Sequence, residues 1–192
     1  MTSVLGVFCT VMAFVFIWPQ VIRVYRINSV EGIATKGTLQ SLAGAGLWSV
    51  YAVAKWNFPL LISNLAVGSA FLLIGVAQVR HRVMKVPPLV GIVVGVTATG
   101  AALALANPAI TGWVAIAISG TSFVPQTIHV LRSDALRGVS LTMYLLLILT
   151  AVSWCTYGFL IHDFIVSAPN FIIIPCGVVV LVKAWSVRHA AV

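Results

Sequence analysis

Two copies of one segment occur in the chain, and a constant offset of 106 residues relates them without a gap. Pro19-Gln20 in the first copy corresponds to Pro125-Gln126 in the second. Other identical pairs at this offset are Ile22/Ile128, Val24/Val130, Arg26/Arg132, Gly32/Gly138, Trp48/Trp154, Tyr51/Tyr157 and Asn64/Asn170. Such a chain is expected to fold into two similar units, with its functional site where the units face each other.

The composition places these copies in a membrane. Of the 192 residues 61% are hydrophobic and only 7% are charged. The apolar segments are about 20 residues long, the length of a membrane-spanning helix and about twice that of a barrel strand. They predict seven transmembrane helices, at residues 4–26, 35–54, 59–80, 87–106, 109–131, 139–160 and 164–185.

The fourth apolar segment has no copy elsewhere in the chain. A three-helix unit repeated directly would insert upside down, and one additional crossing restores the orientation of the first copy. We therefore predict an all-α integral membrane protein with a 3+1+3 arrangement. Residues 1–84 form the first three-helix unit, 85–107 an inverting linker helix, and 108–192 the second three-helix unit.

Basic residues are distributed unequally between the predicted loops. With the amino terminus outside, the inner loops and tail hold ten of the eleven Lys and Arg, and the outer loops hold only Lys55. The positive-inside rule then predicts an amino terminus outside and a carboxyl terminus in the cytosol of a cell membrane. This distribution accounts for the net charge of +8 without a nucleic-acid partner. The first apolar segment has no basic leader, so we expect a retained helix.

A tryptophan and an asparagine are placed alike in both copies. Trp48 and Asn64 lie at equal distances from a predicted turn at residue 56, and Trp154 and Asn170 from one at residue 162. Antiparallel helices joined at these turns hold the side chains about 8 residues, or about 12 Å, inside the outer surface. The four residues are called the Trp/Asn layer below, and they are predicted to lie near the bilayer midplane.

The Pro-Gln helices, the 3+1+3 layout and the paired Trp and Asn resemble the PQ-loop superfamily, and within it the SWEET and SemiSWEET sugar transporters. The resemblance covers essentially the whole chain. It implies a facilitator in which the Trp/Asn layer binds a sugar between two gates. It also implies that Gly44 and Thr150, one turn before each tryptophan, help to set the size of the pocket. The short chain resembles bacterial seven-helix members, and Ser63 is matched by Pro169, so the halves are not symmetric.

The residue types of the layer suit a sugar. Indole rings cover the apolar C–H faces of a pyranose, and a carboxamide offers two donors and an acceptor to its hydroxyls. Other interpretations are helix-to-helix hydrogen bonding for the asparagines and an interfacial belt for tryptophans, which we assign to Trp56, Trp113 and Trp185.

Each Pro-Gln pair is predicted to act as a hinge. Pro19 cannot donate to the carbonyl of Val15, so a bend is expected in helix 1. The recurrence of Pro19-Gln20 as Pro125-Gln126 favours a flexing point in both units over a fixed kink.

No Asp or Glu is predicted at the membrane centre, because Glu31 and Asp134 lie on inner loops and Asp163 lies in the outer turn. Coupling to protons or sodium generally needs an intramembrane ionisable group. The sequence therefore favours bidirectional, uncoupled diffusion of a mono- or disaccharide by alternating access. A proton-coupled PQ-loop transporter of amino acids or cationic solutes, with His162 and Asp163 as its sensor, stays open. So does a non-transporting cargo receptor of the same fold.

No catalytic constellation, cofactor or metal site is predicted, since Cys9, Cys155 and Cys176 show no ligand spacing. The expected partners are the lipid bilayer and a small neutral solute, a sugar. A monomer suffices for a pathway, because one chain contains both units, and a homo-oligomer stays open.

Overall fold

All regular structure in the described part of the chain is α-helical; the computed structural model describes residues 2–31, 33–120, 123–132 and 141–189. Within these ranges the helices are α1 (Thr2–Ile27), α2 (Thr35–Ala54), α3 (Phe58–Arg80), α4 (Val86–Ala106), α5 (Pro108–Gly120), α6 (Phe123–Arg132), α7 (Leu141–Leu160), α8 (Phe164–Ser167) and α9 (Asn170–His189). Four segments are long and apolar enough to cross a membrane, namely α1, α3, α4 and Phe164–Val187, and shorter apolar helices cover Pro108–Gly120 and Tyr144–Leu160.

The first four predicted helices agree with α1 to α4 to within two residues at each end. Predicted helix 5, at 109–131, corresponds to α5 and α6, which lie on either side of residues 121 and 122, outside the described residues. Predicted helix 6 ends at Leu160 as expected. Its start at residue 139 lies in the range 133–140, which is also outside the described residues.

Predicted helix 7 differs from the structure by one interruption. The short helix α8 ends at Ser167, and α9 begins only at Asn170, after a turn at Ala168 and Pro169. Proline has no backbone N–H, so Pro169 cannot make the bond that would continue the helix. The corresponding helix of the first unit, α3, has Ser63 at this position and is continuous.

The turns that join α2 to α3 and α7 to α8 have the same construction. Trp56 and His162, which correspond at the offset of 106, have positive φ angles of 52° and 56°. The next residue caps the following helix: Asn57 accepts a hydrogen bond from Leu60 N, and Asp163 accepts one from Ile165 N. We call the end of the bundle that carries these two turns the turn end, and the opposite end the loop end.

The linker helix α4 packs mainly against α2 of the first unit. Glycines allow the close approach: a Cβ atom at Gly46 would lie 3.0 Å from Val96, and one at Gly100 would lie 3.2 Å from Leu47. Of the residues of α4, only Leu89 and Gly100 are buried. An apolar helix with so little of its surface covered by protein suits a position in contact with lipid.

The two units face each other through repeated contacts, with α1 against α7 and α2 against α5. A Cβ atom at Gly6 would lie 2.8 Å from Pro59 and 3.1 Å from Tyr157. A Cβ atom at Gly112, the counterpart of Gly6, would lie 2.5 Å from Ile165 and 3.0 Å from Tyr51. A larger residue at either glycine would separate the units, so their close contact depends on the absence of a side chain.

Candidate substrate site

A cavity of about 320 Å³ lies between the two units, and the whole Trp/Asn layer lines it. Trp48 and Asn64 reach it from the first unit, and Trp154 and Asn170 from the second. The described lining residues are Ala13, Phe16, Ile17, Gln40, Ser41, Gly44, Ala45, Trp48, Leu60, Ser63, Asn64, Val67, Phe71, Ser119, Trp154, Val166, Pro169, Asn170 and Ile173. The structure thus brings together, from both units, the four residues that the turn positions predicted at one depth.

The two asparagines are held in the same way. Asn64 Nδ2 donates to the carbonyl of Leu60 at 2.9 Å, and Asn170 Nδ2 donates to that of Val166 at 3.1 Å. These bonds to the preceding turn fix the carboxamides. Within the described residues no further hydrogen bond is made by either side chain, so each retains a second N–H and a carbonyl oxygen. Two oriented polar groups therefore remain for a ligand.

Each tryptophan stands edge-on to a tyrosine three residues later. The rings of Trp48 and Tyr51 are 5.8 Å apart at 86°, and those of Trp154 and Tyr157 are 5.6 Å apart at 87°. Edge-to-face pairs of this kind are favourable aromatic contacts. The tyrosines thus hold both indoles in matching orientations.

The turn end is closed by hydrogen bonds that cross between the units. Tyr51 OH lies 2.7 Å from both carboxylate oxygens of Asp163, and Tyr157 OH donates to Asn57 Oδ1 at 3.0 Å. Both tyrosines are buried. The offset of 106 relates Tyr51 to Tyr157 and Asn57 to Asp163, so the two bonds are one contact made twice. We call them the turn-end contacts.

The cavity extends from the Trp/Asn layer toward the loop end. Leu60 and Val166 are its lining residues nearest the turns, and the turn-end contacts lie beyond them. In the other direction the lining continues along α2 to Gln40 and along α3 to Phe71. The structure therefore describes a conformation that is closed at the turn end.

Gly44 and Thr150, the two positions expected to set the size of the pocket, differ in whether they line the cavity. Gly44 lines the cavity, and a Cβ atom there would lie 3.3 Å from Ser119 Cβ. Thr150 is not among the described lining residues, and its hydroxyl donates to the carbonyl of Leu146 at 2.7 Å. Only the first of these positions borders the space where a ligand would lie.

The predicted hinge residues lie away from the Trp/Asn layer. Pro19 falls inside α1, which runs as one helix to Ile27. Gln20 lines a second cavity of about 310 Å³ at the loop end, together with Arg23 and Glu31. Pro125 and Gln126 belong to the backbone of α6, and their side chains lie outside the described residues.

Sequence reasoning missed two features of the site. The turn-end contacts had a signal, since the offset that pairs the tyrosines also carries Asn57 to Asp163. Ser119 accepts a hydrogen bond from Trp48 Nε1 at 3.1 Å and had no such signal, because its counterpart is Ala13. No group of three or more His, Cys, Asp or Glu side chains placed to hold a metal occurs in the part of the chain that the structure describes.

Comparison with solved structures defines the fold. The chain is similar to a eukaryotic SWEET transporter, with a TM-score of 0.78 at 17% identity, over 98% of this chain and 99% of the other. This likeness shows the fold. It confirms the predicted all-α membrane architecture of seven helices in a 3+1+3 arrangement.

Sequence comparisons define the family. Residues 1–61 match the PQ loop repeat, and residues 111–185 match the family described as sugar efflux transporter for intercellular exchange. The Sugar transporter SemiSWEET of Escherichia coli is 32% identical over 73 residues, which cover 82% of that protein and 38% of this chain. The chain belongs to the SWEET and SemiSWEET-like sugar transporters of the PQ-loop superfamily.

Longer relatives match most of this chain. The Bidirectional sugar transporter SWEET13 of Oryza sativa subsp. japonica is 31% identical over 84% of this chain, and SWEET15 of subsp. indica is 27% identical over 88%. The matches cover 60% and 57% of those two proteins. The chain therefore spans less than two thirds of the length of these rice relatives.

Proposed function

We propose that this protein is a sugar uniporter, which lets a mono- or disaccharide diffuse in both directions across the membrane by alternating access. The observation that carries the proposal is the cavity of about 320 Å³ that the Trp/Asn layer of both units lines together. Relatives named as bidirectional sugar transporters support it. The volume lies within the range of small-molecule sites, about 300 to 1,000 Å³.

The chemistry of the lining supports a neutral, hydroxylated solute. Two indoles offer apolar surface to the C–H faces of a pyranose, while the carboxamides of Asn64 and Asn170 offer neutral donors and acceptors to its hydroxyls. The described lining contains no charged side chain. A charged solute would enter such a cavity without a counter-charge, at a high desolvation cost.

The orientation follows from the basic residues. Arg23, Arg26 and Arg80 lie toward the loop end, so the positive-inside rule places that end in the cytosol and the turn end outside a cell membrane. In this orientation the structure is closed to the exterior and its cavity extends toward the cytosol.

Alternating access requires the turn end to open and the loop end to close around the Trp/Asn layer. Opening breaks the turn-end contacts, which are polar and few. Pro19 lies on the loop side of the layer and leaves the carbonyl of Val15 without its donor. Pro125 corresponds to it at the offset of 106, and we assign both prolines as the flexing points.

Diffusion without coupling follows from the positions of the acidic groups. Glu31 lies at the loop end, Asp163 lies in the turn and accepts from Tyr51, and Asp134 lies outside the described residues. No described acidic side chain lines the cavity. A monomer is sufficient in this proposal, since the SemiSWEET relative corresponds in length to about one unit of this chain.

Counterflow in liposomes tests the proposal. Purified protein is reconstituted, and exchange of labelled glucose and of labelled sucrose is measured without any ion gradient, for the wild type and for a Trp154→Ala, Asn170→Ala double variant. Thr97→Ala is the matched control, because Thr97 is exposed on α4 and bonds only to its own helix. Saturable exchange in the wild type and control, lost in the double variant, is expected.

Two results would contradict the proposal. If neither sugar exchanges while an amino acid accumulates when one side is acidified, the protein is the proton-coupled alternative. If no solute moves and the purified protein retains a peptide ligand, it is a receptor of the same fold.

A further inference from the structure

We propose that Ser119 is a positioning residue that fixes Trp48, and that it thereby leaves Trp154 as the indole that donates a hydrogen bond to the substrate. The inference rests on the proposed function, since it assigns unequal roles to the two tryptophans of the cavity. It uses the contact between Trp48 of the first unit and Ser119 of the second, which has no equivalent at Trp154 because Ala13 replaces the serine.

The Ser119 hydroxyl links the indole of Trp48 to the carbonyl of Ala115. Its oxygen accepts from Trp48 Nε1 at 3.1 Å, and its proton is donated to the carbonyl of Ala115 at 2.6 Å. A hydroxyl has one proton to donate. Because that proton is held by the buried carbonyl, the oxygen is oriented as an acceptor for the indole, which is only 8% exposed.

Gly44 makes room for this contact. A Cβ atom at Gly44 would lie 3.3 Å from Ser119 Cβ, closer than an ordinary van der Waals contact. One turn earlier on the same helix, Gln40 Nε2 donates to the carbonyl of Ile118 at 2.7 Å. The glycine and the glutamine therefore let α2 and α5 approach closely enough for Ser119 to reach the indole.

The second tryptophan has no equivalent partner. The offset of 106 places Ala13 where the second unit has Ser119, and a methyl group accepts no hydrogen bond. No described residue accepts a hydrogen bond from Trp154 Nε1. The buried polar atoms that lack a partner do not include this one, so Trp154 Nε1 is not fully buried. The ring itself stands against Tyr157 as Trp48 stands against Tyr51. The two indoles thus make the same contact with a tyrosine ring, and they differ in whether a protein group accepts a hydrogen bond from the N–H.

This difference assigns their roles. Trp48 presents a fixed apolar face, because its only donor is already used. Trp154 lines the same cavity, and its N–H has no acceptor among the described residues. An indole N–H without a protein acceptor favours a ligand that brings one. A hydroxyl or ring oxygen of the sugar is such an acceptor.

The first experiment reads the contact without any substrate. Protein labelled with ¹⁵N at the tryptophan indoles is placed in nanodiscs, and the Trp48 and Trp154 signals are assigned with Trp48→Phe and Trp154→Phe. In the wild type the Trp48 N–H should resonate downfield of Trp154 and exchange more slowly with deuterium. Ser119→Ala should move the Trp48 signal upfield and speed its exchange, while Ser119→Thr, which keeps the hydroxyl, should restore both. An unmoved Trp48 signal in Ser119→Ala would overturn the assignment of Ser119.

The second experiment gives Trp154 the hydroxyl partner that Trp48 has in the wild type. Ala13→Ser installs a hydroxyl at the position that corresponds to Ser119, where it should accept from Trp154 Nε1. It should raise the KM of sugar counterflow about fivefold, the usual effect of one lost neutral hydrogen bond, with little change in the maximal rate. Trp154→Phe should raise the KM by a similar factor and Trp48→Phe by clearly less. Equal effects of the two Phe variants would overturn the division of roles. Absence of sugar exchange in the wild type would refute the proposed function while leaving the spectroscopic result on Ser119 intact.

Discussion

The two units each place a tryptophan and an asparagine at the cavity, and they differ in several of the surrounding contacts. Asn64 and Asn170 are fixed by the same bond to the preceding turn. In contrast, α3 is continuous whereas α8 and α9 are separated at Pro169, and a neutral cap at Asn57 corresponds to a carboxylate at Asp163. The repeat thus preserves the Trp/Asn layer and the bonds of its asparagines, and the differences lie in the helix break at Pro169 and in the caps of the two turns.

The largest expected effect on transport comes from the two asparagines, which both units share. Asn64→Ala and Asn170→Ala each remove an oriented carboxamide from the cavity. Each should raise the KM for sugar counterflow about tenfold or more, because a sugar hydroxyl in the closed site then loses its partner. Counterflow at a series of sugar concentrations measures the effect. If one asparagine proves dispensable, the two units do not contribute equally to the site.

The turn-end contacts give the next largest effect and test the difference between the units. Tyr51→Phe removes a bond to a carboxylate, whereas Tyr157→Phe removes a bond to a carboxamide. A hydrogen bond to an ionised group contributes about 1.5 kcal/mol or more, against about 1 kcal/mol for a neutral one. Tyr51→Phe should therefore shift the population toward a conformation open at the turn end by about tenfold, and Tyr157→Phe by about fivefold.

Distances between spin labels measure this shift. The labels are attached at the exposed positions Phe58 and Phe164, which correspond in the two units and lie at the turn end. The parent protein has Cys9, Cys155 and Cys176 replaced and must retain counterflow. A larger shift in Tyr157→Phe than in Tyr51→Phe would reverse the ranking of the two contacts.

Asp163→Asn should have a smaller effect, since it gives the second unit the cap of the first. The carboxamide oxygen still accepts from Tyr51, so the population should shift about threefold, with uptake still insensitive to a pH gradient. Uptake is measured with either side of the liposome acidified. Accumulation driven by acid in the wild type and lost in Asp163→Asn would instead support the proton-coupled alternative.

The smallest effects concern the two pocket-size positions. Gly44→Ala brings a methyl group against Ser119 and should raise the KM about threefold, as expected of mild overpacking. Thr150→Ala removes a hydroxyl that bonds within its own helix and should change the KM by less than about twofold. The two KM values are measured in one counterflow series. A larger effect of Thr150→Ala would mean that this position approaches the substrate in another conformation.

The depth of the Trp/Asn layer in the membrane was predictable from the sequence, and the contacts between neighbouring helices were not. Trp48 and Asn64 lie equally far from one turn, so antiparallel helices place them at one level whatever the details of packing. The contact between Trp48 and Ser119 depends on how α2 and α5 are rotated, which the repeat does not encode because Ala13 takes the equivalent place. The same reason accounts for Thr150, which is not among the described lining residues.

The ends of the helices were also predictable only in part from the sequence. Apolar length and the turn residues predicted α2 to its terminal residues and α3 to within one. The break before Asn170 was not predicted, because Pro169 falls in an apolar run that spans the membrane as a whole. A proline in such a run can be accommodated as a kink or as a turn, and neighbouring helices decide between them.

The central claim is that two units share one site, and the number of sugar molecules bound per chain tests it most directly. Equilibrium dialysis of the purified protein against labelled glucose and sucrose gives this number for the wild type, Asn64→Ala and Asn170→Ala. One sugar per chain, with binding weakened by either substitution, is the predicted result. Two sugars per chain, each lost separately in one variant, would contradict the shared site.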